Sequence, residues 1–142
     1  MATYSNLIST QIPKEELKEI LGAIDYINKR LPDLVVLSPE EQAALPKMKS
    51  NTIRFVHDCL QLAKVNPEIV PEDVDVPEII KDVELVEAIN KILVPLQLIV
   101  KKLKHSTLLA ESEAYLPSLA IYNNNQLEKV KKIAREESKV KV

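Results

Sequence analysis

The sequence predicts an all-α protein: an antiparallel four-helix bundle with proline kinks in its third and fourth helices and a short extra helical turn between the first and second. Three observations carry that expectation. Glycine occurs once in 142 residues while Leu, Ile, Glu, Lys and Ala are abundant, a composition that favours helix nearly everywhere. Apolar residues recur at three- and four-residue intervals, the period of a helix with one buried face. Apart from Pro95 and Pro117, the prolines fall between these stripes, where helices start or stop.

Met1 to Ile12 lacks helical periodicity and reads as an extended lead-in. The first helix opens at Pro13, whose missing N–H is not needed in a first turn. Glu15 and Glu16 then sit near the positive end of its dipole. Leu17, Ile20, Leu21, Ile24, Ile27 and Leu31 form one stripe, and Leu31-Pro32 ends it. Ser38-Pro39-Glu40-Glu41 has the spacing of a capping box and opens one or two turns that stop at Pro46. The second helix follows, capped by Ser50 or Asn51. Its stripe of Ile53, Val56, Leu60 and Ala63 is widened by Phe55, Cys59 and Leu62, and Asn66-Pro67 terminates it.

Pro67, Pro71 and Pro77 stiffen an acidic connector, and Asp75 and Glu78 are spaced as a capping pair for the third helix. Its stripe runs Ile79, Val83, Val86, Ile89, Leu93, Leu96, Val100 and Leu103, with a kink expected at Pro95. An unbroken helix from 76 to about 136 would be about 90 Å long. A break is therefore expected at His105-Ser106-Thr107, with a fourth helix beyond it, kinked at Pro117. Helices this close in sequence pack antiparallel. The expectation is one domain, 1–142, with residues 137–142 as a frayed tail.

Composition excludes several kinds of chemistry. A single glycine leaves no Gly-rich phosphate loop. One cysteine allows no intrachain disulfide or Cys-based zinc module, and two histidines cannot supply a three-histidine metal site. The residues three before His57 and His105 are Arg54 and Lys102, so no di-iron Glu-x-x-His pair exists. No cofactor and no metal ligand set are expected. Met1 to Ile12 has no signal-peptide pattern and no apolar run reaches about 18 residues, so a cytoplasmic bacterial-type protein without a membrane span is expected. Residues 1–75 carry net charge −4 and residues 76–142 net +2. The basic excess in the second half is interleaved with Glu128, Glu136 and Glu137 and has no aromatic stacking residues, so nucleic-acid binding is not expected.

Neighbours on a helix point in different directions, so His57, Asp58 and Cys59 make no triad by adjacency. Cys59 reads as a small core residue and His57 as exposed. The stretch from Leu109 to Tyr115 offers most. Glu113, Leu116, Ala120 and Asn123 share one helical face, beside Pro117, which frees the carbonyl of Glu113. Tyr115, Leu119 and Tyr122 share a neighbouring face. Glu113, Tyr115, Tyr122 and Asn123 thus outline either a small polar pocket or a set of packing and register-fixing residues, the second being the commoner use of core polar groups in bundles.

Leu45-Pro46-Lys47-Met48, the Thr52–Ala63 pattern T-x-x-F-V-x-x-x-L-x-x-A, Asn66-Pro67, Leu109-Ala110-x-Ser112-Glu113-Ala114-Tyr115 and Tyr122-Asn123 together resemble a family of small uncharacterised bacterial proteins. The similarity runs from about Ile12 to Asn123. It implies a helical bundle with no assigned activity, and it marks Lys47, Met48, Glu113, Tyr115, Tyr122 and Asn123 as candidate ligand or interaction positions. The chain departs from the family at Glu111, where Gly often stands. The function expected is non-enzymatic: protein–protein contact through the wide apolar faces, as a homo-oligomer, specifically a dimer. The alternative is a small-ligand binder or enzyme built on Glu113, Tyr115, Tyr122 and Asn123.

Overall fold

The computed structural model describes residues 4, 6–48 and 50–140, with backbone alone at 50, 51, 139 and 140. It is all-helical, and no strand occurs among the described residues. The α-helices are α1 (Lys14–Arg30), α2 (Pro39–Ala44), α3 (Ser50–Val65) and α4 (Val76–Val140), with a 3-10 turn at Pro67–Ile69 between α3 and α4. The chain divides into two compact units, Ile12–Leu93 and Met1–Gln11 with Val94–Val142.

In the Ile12–Leu93 unit the local signals of the sequence are realised. Pro13 is the N-cap of α1, one residue outside the helix, and its carbonyl accepts the N–H of Leu17 at 2.9 Å. Glu15 and Glu16 occupy the first turn, and Lys29 and Arg30 the last, each sign complementing the helix dipole. Ser38 makes the full capping box: its hydroxyl accepts from the Glu41 N–H at 3.1 Å, and the Glu41 carboxylate accepts from the Ser38 N–H at 3.2 Å. The cap expected from Ser50 or Asn51 lies outside the described side chains. Asp75 caps α4, its carboxylate accepting the Glu78 N–H at 3.3 Å and its carbonyl the Ile79 N–H at 3.2 Å.

The connector after α3 folds back through the 3-10 turn, with the Val74 N–H donating to the Pro71 carbonyl at 3.1 Å. This sets the first turns of α4 beside α3, where His57 Nε2 meets Glu87 Oε1 at 3.3 Å. Val83 lies one turn before Glu87 and one turn after Ile79, on the same face. At 7% exposure it is the one buried residue among the described residues. Cys59, expected in the core, is exposed instead. It lines an apolar groove with Phe55 and Leu62. The α1 stripe is also open, with Leu17, Ile20, Leu21, Ile24 and Ile27 between 39% and 56% exposed.

The second correction concerns the turn expected at 105–107. Helix α4 runs straight through it, so the predicted third and fourth helices are one element of 65 residues. The physical reason is local. Residues 96–116 contain neither Gly nor Pro, and the Thr107 hydroxyl donates to the Leu103 carbonyl at 2.8 Å within the helix. The expectation of a break rested on a compact globule that ends its helices at its own edges, not on any stop signal in the residues. Pro95 and Pro117 both lie inside α4. Helical backbone continues through the expected tail as far as Val140, and residues 141 and 142 lie outside the described residues.

Val83→Ala is expected to destabilise the protein by about 2 kcal/mol, and Val36→Ala, at a position 98% exposed, to stay within about 0.5 kcal/mol of wild type. Urea unfolding of the two variants side by side checks this; equal midpoints would contradict the placement of Val83.

Candidate functional site

The residue with the most developed surroundings is Glu113. It lies in the stretch of α4 just before Pro117, half-exposed. Its carboxylate accepts the backbone N–H of Leu7 through Oε1 and that of Ile8 through Oε2, the second at 3.3 Å. An extended segment has unpaired N–H groups that need acceptors, and an ionised carboxylate, with two acceptor oxygens, serves two successive amides at once. Beside this contact is a small cavity of about 150 Å³ lined by Tyr4, Leu109, Ser112, Glu113, Leu116 and Pro117. One turn further along α4, the Ser118 hydroxyl donates to the Ala114 carbonyl at 2.7 Å. Glu113 thus anchors the lead-in, an arrangement invisible in the sequence because the two partners are more than 100 positions apart.

The other candidate positions are placed separately. Lys47 extends its ammonium to the Gln42 carbonyl at 3.2 Å, near the C-terminus of α2, where free carbonyls and the negative end of the dipole favour a cation. Met48 stands exposed in the connection ahead of α3. At about 100° per residue, Tyr115 and Tyr122 lie on the side of α4 roughly opposite Glu113 and not on the neighbouring face expected, and they are 62% and 59% exposed. Asn123 is exposed. Among the described residues, Glu113 is the member of the expected four-residue cluster that hydrogen-bonds to the lead-in.

Two grooves flank the wedge between α3, the connector and the start of α4, and sequence reasoning singles out neither. One, of about 840 Å³, sets His57, Gln61 and Lys64 across from Glu72, Asp73 and Asp75. The other, of about 330 Å³, is apolar and lined by Phe55, Cys59, Leu62, Ile69, Val74 and Ile79 among others. Their signals are present in the sequence: Phe55, Cys59 and Leu62 widen the stripe of α3, and Pro67, Pro71 and Pro77 punctuate the connector that follows it. His57 is engaged by Glu87, and Cys59 faces the other groove, so the two share no hydrogen bond. No group of three or more His, Cys, Asp or Glu converges as a metal site among the described residues. No helix among them is long and apolar enough to cross a membrane.

Compared with family models, with curated proteins and with solved structures, the chain matches none.

Replacing Glu113 by Ala is expected to raise amide exchange at Leu7 and Ile8 by about tenfold, the loss of one or two charge-assisted hydrogen bonds near the surface. Glu111→Ala, two residues away, is expected to leave both amides unchanged. NMR exchange rates read both; equal effects of the two substitutions would contradict the anchoring role.

Proposed function

We propose that this protein is a non-enzymatic helical protein that acts through protein–protein contacts and associates with copies of itself, as a dimer, in the cytoplasm. The observation that carries the reading is the mismatch between apolar patterning and burial. Among the described residues only Val83 is buried, while α1 presents a continuous aliphatic stripe to solvent. Covering a half-exposed Leu or Ile contributes about 1 kcal/mol. The five residues of the α1 stripe would together contribute about 5 kcal/mol, comparable to the whole stability of a small domain. Isolated exposed apolar side chains are ordinary on protein surfaces, but contiguous apolar stripes mark interaction surfaces.

Antiparallel packing of helices, expected from the sequence within one chain, is assigned by this reading to the assembled state. Bends at Pro95 and Pro117, where α4 lacks the N–H groups that would reach the carbonyls of Lys91 and Glu113, would let the helix follow a neighbour. A ligand site at Glu113, Tyr115, Tyr122 and Asn123 has less support, because the Glu113 carboxylate is taken by the chain's own Leu7 and Ile8.

Native mass spectrometry of protein purified under mild conditions tests the proposal. The expected spectrum at tens of micromolar shows twice the chain mass with nothing added. The monomer mass alone would contradict self-association. A reproducible extra mass, lost in a folded Glu113→Gln variant, would transfer the function to a ligand pocket.

A further inference from the structure

We propose that the helix face of α4 opposite Glu113 is the self-association surface, and that it pairs antiparallel with the same face of a second copy about a two-fold axis between Thr107 and Leu108. The inference rests on the self-association proposed above and adds a surface and a direction on α4; the α1 stripe lies outside this face and is not part of the pairing.

Two observations carry it. The first is that the faces of this part of α4 are used differently. The Glu113 side holds the lead-in through Leu7 and Ile8. At about 100° per residue, Val100, Lys104, Thr107, Leu108, Glu111 and Tyr115 all fall within a band on the other side. All six are exposed.

The second is charge complementarity with a definite symmetry. Lys104 and Glu111 are seven residues apart, about 10 Å along the axis, and equally distant from the midpoint between Thr107 and Leu108. A two-fold axis there, perpendicular to the helix, sets Lys104 of each copy level with Glu111 of the other, so one interaction occurs twice. The same operation sets Val100 level with Tyr115, so apolar groups meet, and Thr107 level with Leu108. Thr107 leaves room for Leu108 near the axis, since its hydroxyl is turned back to the Leu103 carbonyl at 2.8 Å. A parallel pair in register would instead set Lys104 against Lys104 and Glu111 against Glu111. The charges therefore choose the antiparallel direction, as flanking charges do in paired helices.

The test is a charge-reversal exchange read by sedimentation equilibrium. Lys104→Glu sets carboxylate against carboxylate at both ends of the paired face, and Glu111→Lys sets ammonium against ammonium at the same two places. Each single variant is expected to weaken self-association about tenfold or more at low salt. An equimolar mixture of the two is expected to recover most of the lost affinity. In the mixed pair one end brings together the two unaltered residues and the other brings together the two reversed ones, so both ends are again opposite in sign. The double variant Lys104→Glu/Glu111→Lys is expected to dimerise like wild type. Recovery in the mixture also shows that the single variants are folded. A wild-type dimer that neither substitution weakens would overturn this face while leaving self-association standing. Weakening without recovery in the mixture would overturn the antiparallel pairing. A wild-type monomer would overturn the reading on which the proposal rests.

Discussion

The constraint on which the rest of the structure depends is the want of apolar cover. A helix in water is marginal by itself, and most helical stability in proteins comes from packing an apolar face against something else. Here α3 obtains contact from the 3-10 turn of the connector and meets α4 at the His57–Glu87 pair, and Val83 is the one buried residue among the described residues. Helix α1 carries an equally regular stripe and keeps it exposed. A chain with good caps, correct dipole charges and open apolar stripes is locally complete and globally unfinished. Association, as proposed above, would be the physical means of finishing it.

The two units solve their local problems by different chemistry. In Ile12–Leu93 the organising device is a proline-stiffened connector that turns the chain back and caps the next helix with Asp75. In the unit containing Val94–Val142 it is a carboxylate on a helix receiving two amides of an extended segment. The second device is polar and partly open to solvent, so it sets position more than it contributes stability. It also makes the faces of this part of α4 unlike: one receives the Leu7 and Ile8 amides, and the opposite one, with Lys104, Leu108, Glu111 and Tyr115, is exposed.

How much of this is legible in the sequence follows from how local each signal is. The capping box at Ser38, the Asp75 cap and the stops at Pro32 and Asn66-Pro67 involve residues within four positions of one another, and all are readable. Glu113 stands out for its company of small residues and its nearness to Pro117, yet its partners, the amides of Leu7 and Ile8, leave no mark in the sequence because backbone amides are the same at every residue. The break expected at His105-Ser106-Thr107 comes from an assumption about compactness rather than from a helix-breaking residue, and the helix continues there. Periodicity alone puts Cys59 in a core. It reports which face is apolar and cannot report whether the chain itself covers that face.

The most direct measurement of the central claim is the thermal unfolding midpoint, followed by far-ultraviolet circular dichroism, as protein concentration rises from about 1 to 100 μM. A fold completed by association is stabilised by mass action, so the midpoint is expected to rise steadily with concentration. A midpoint that is the same at every concentration, with unfolding reversible, would contradict the account and mean that each chain is stable without a partner.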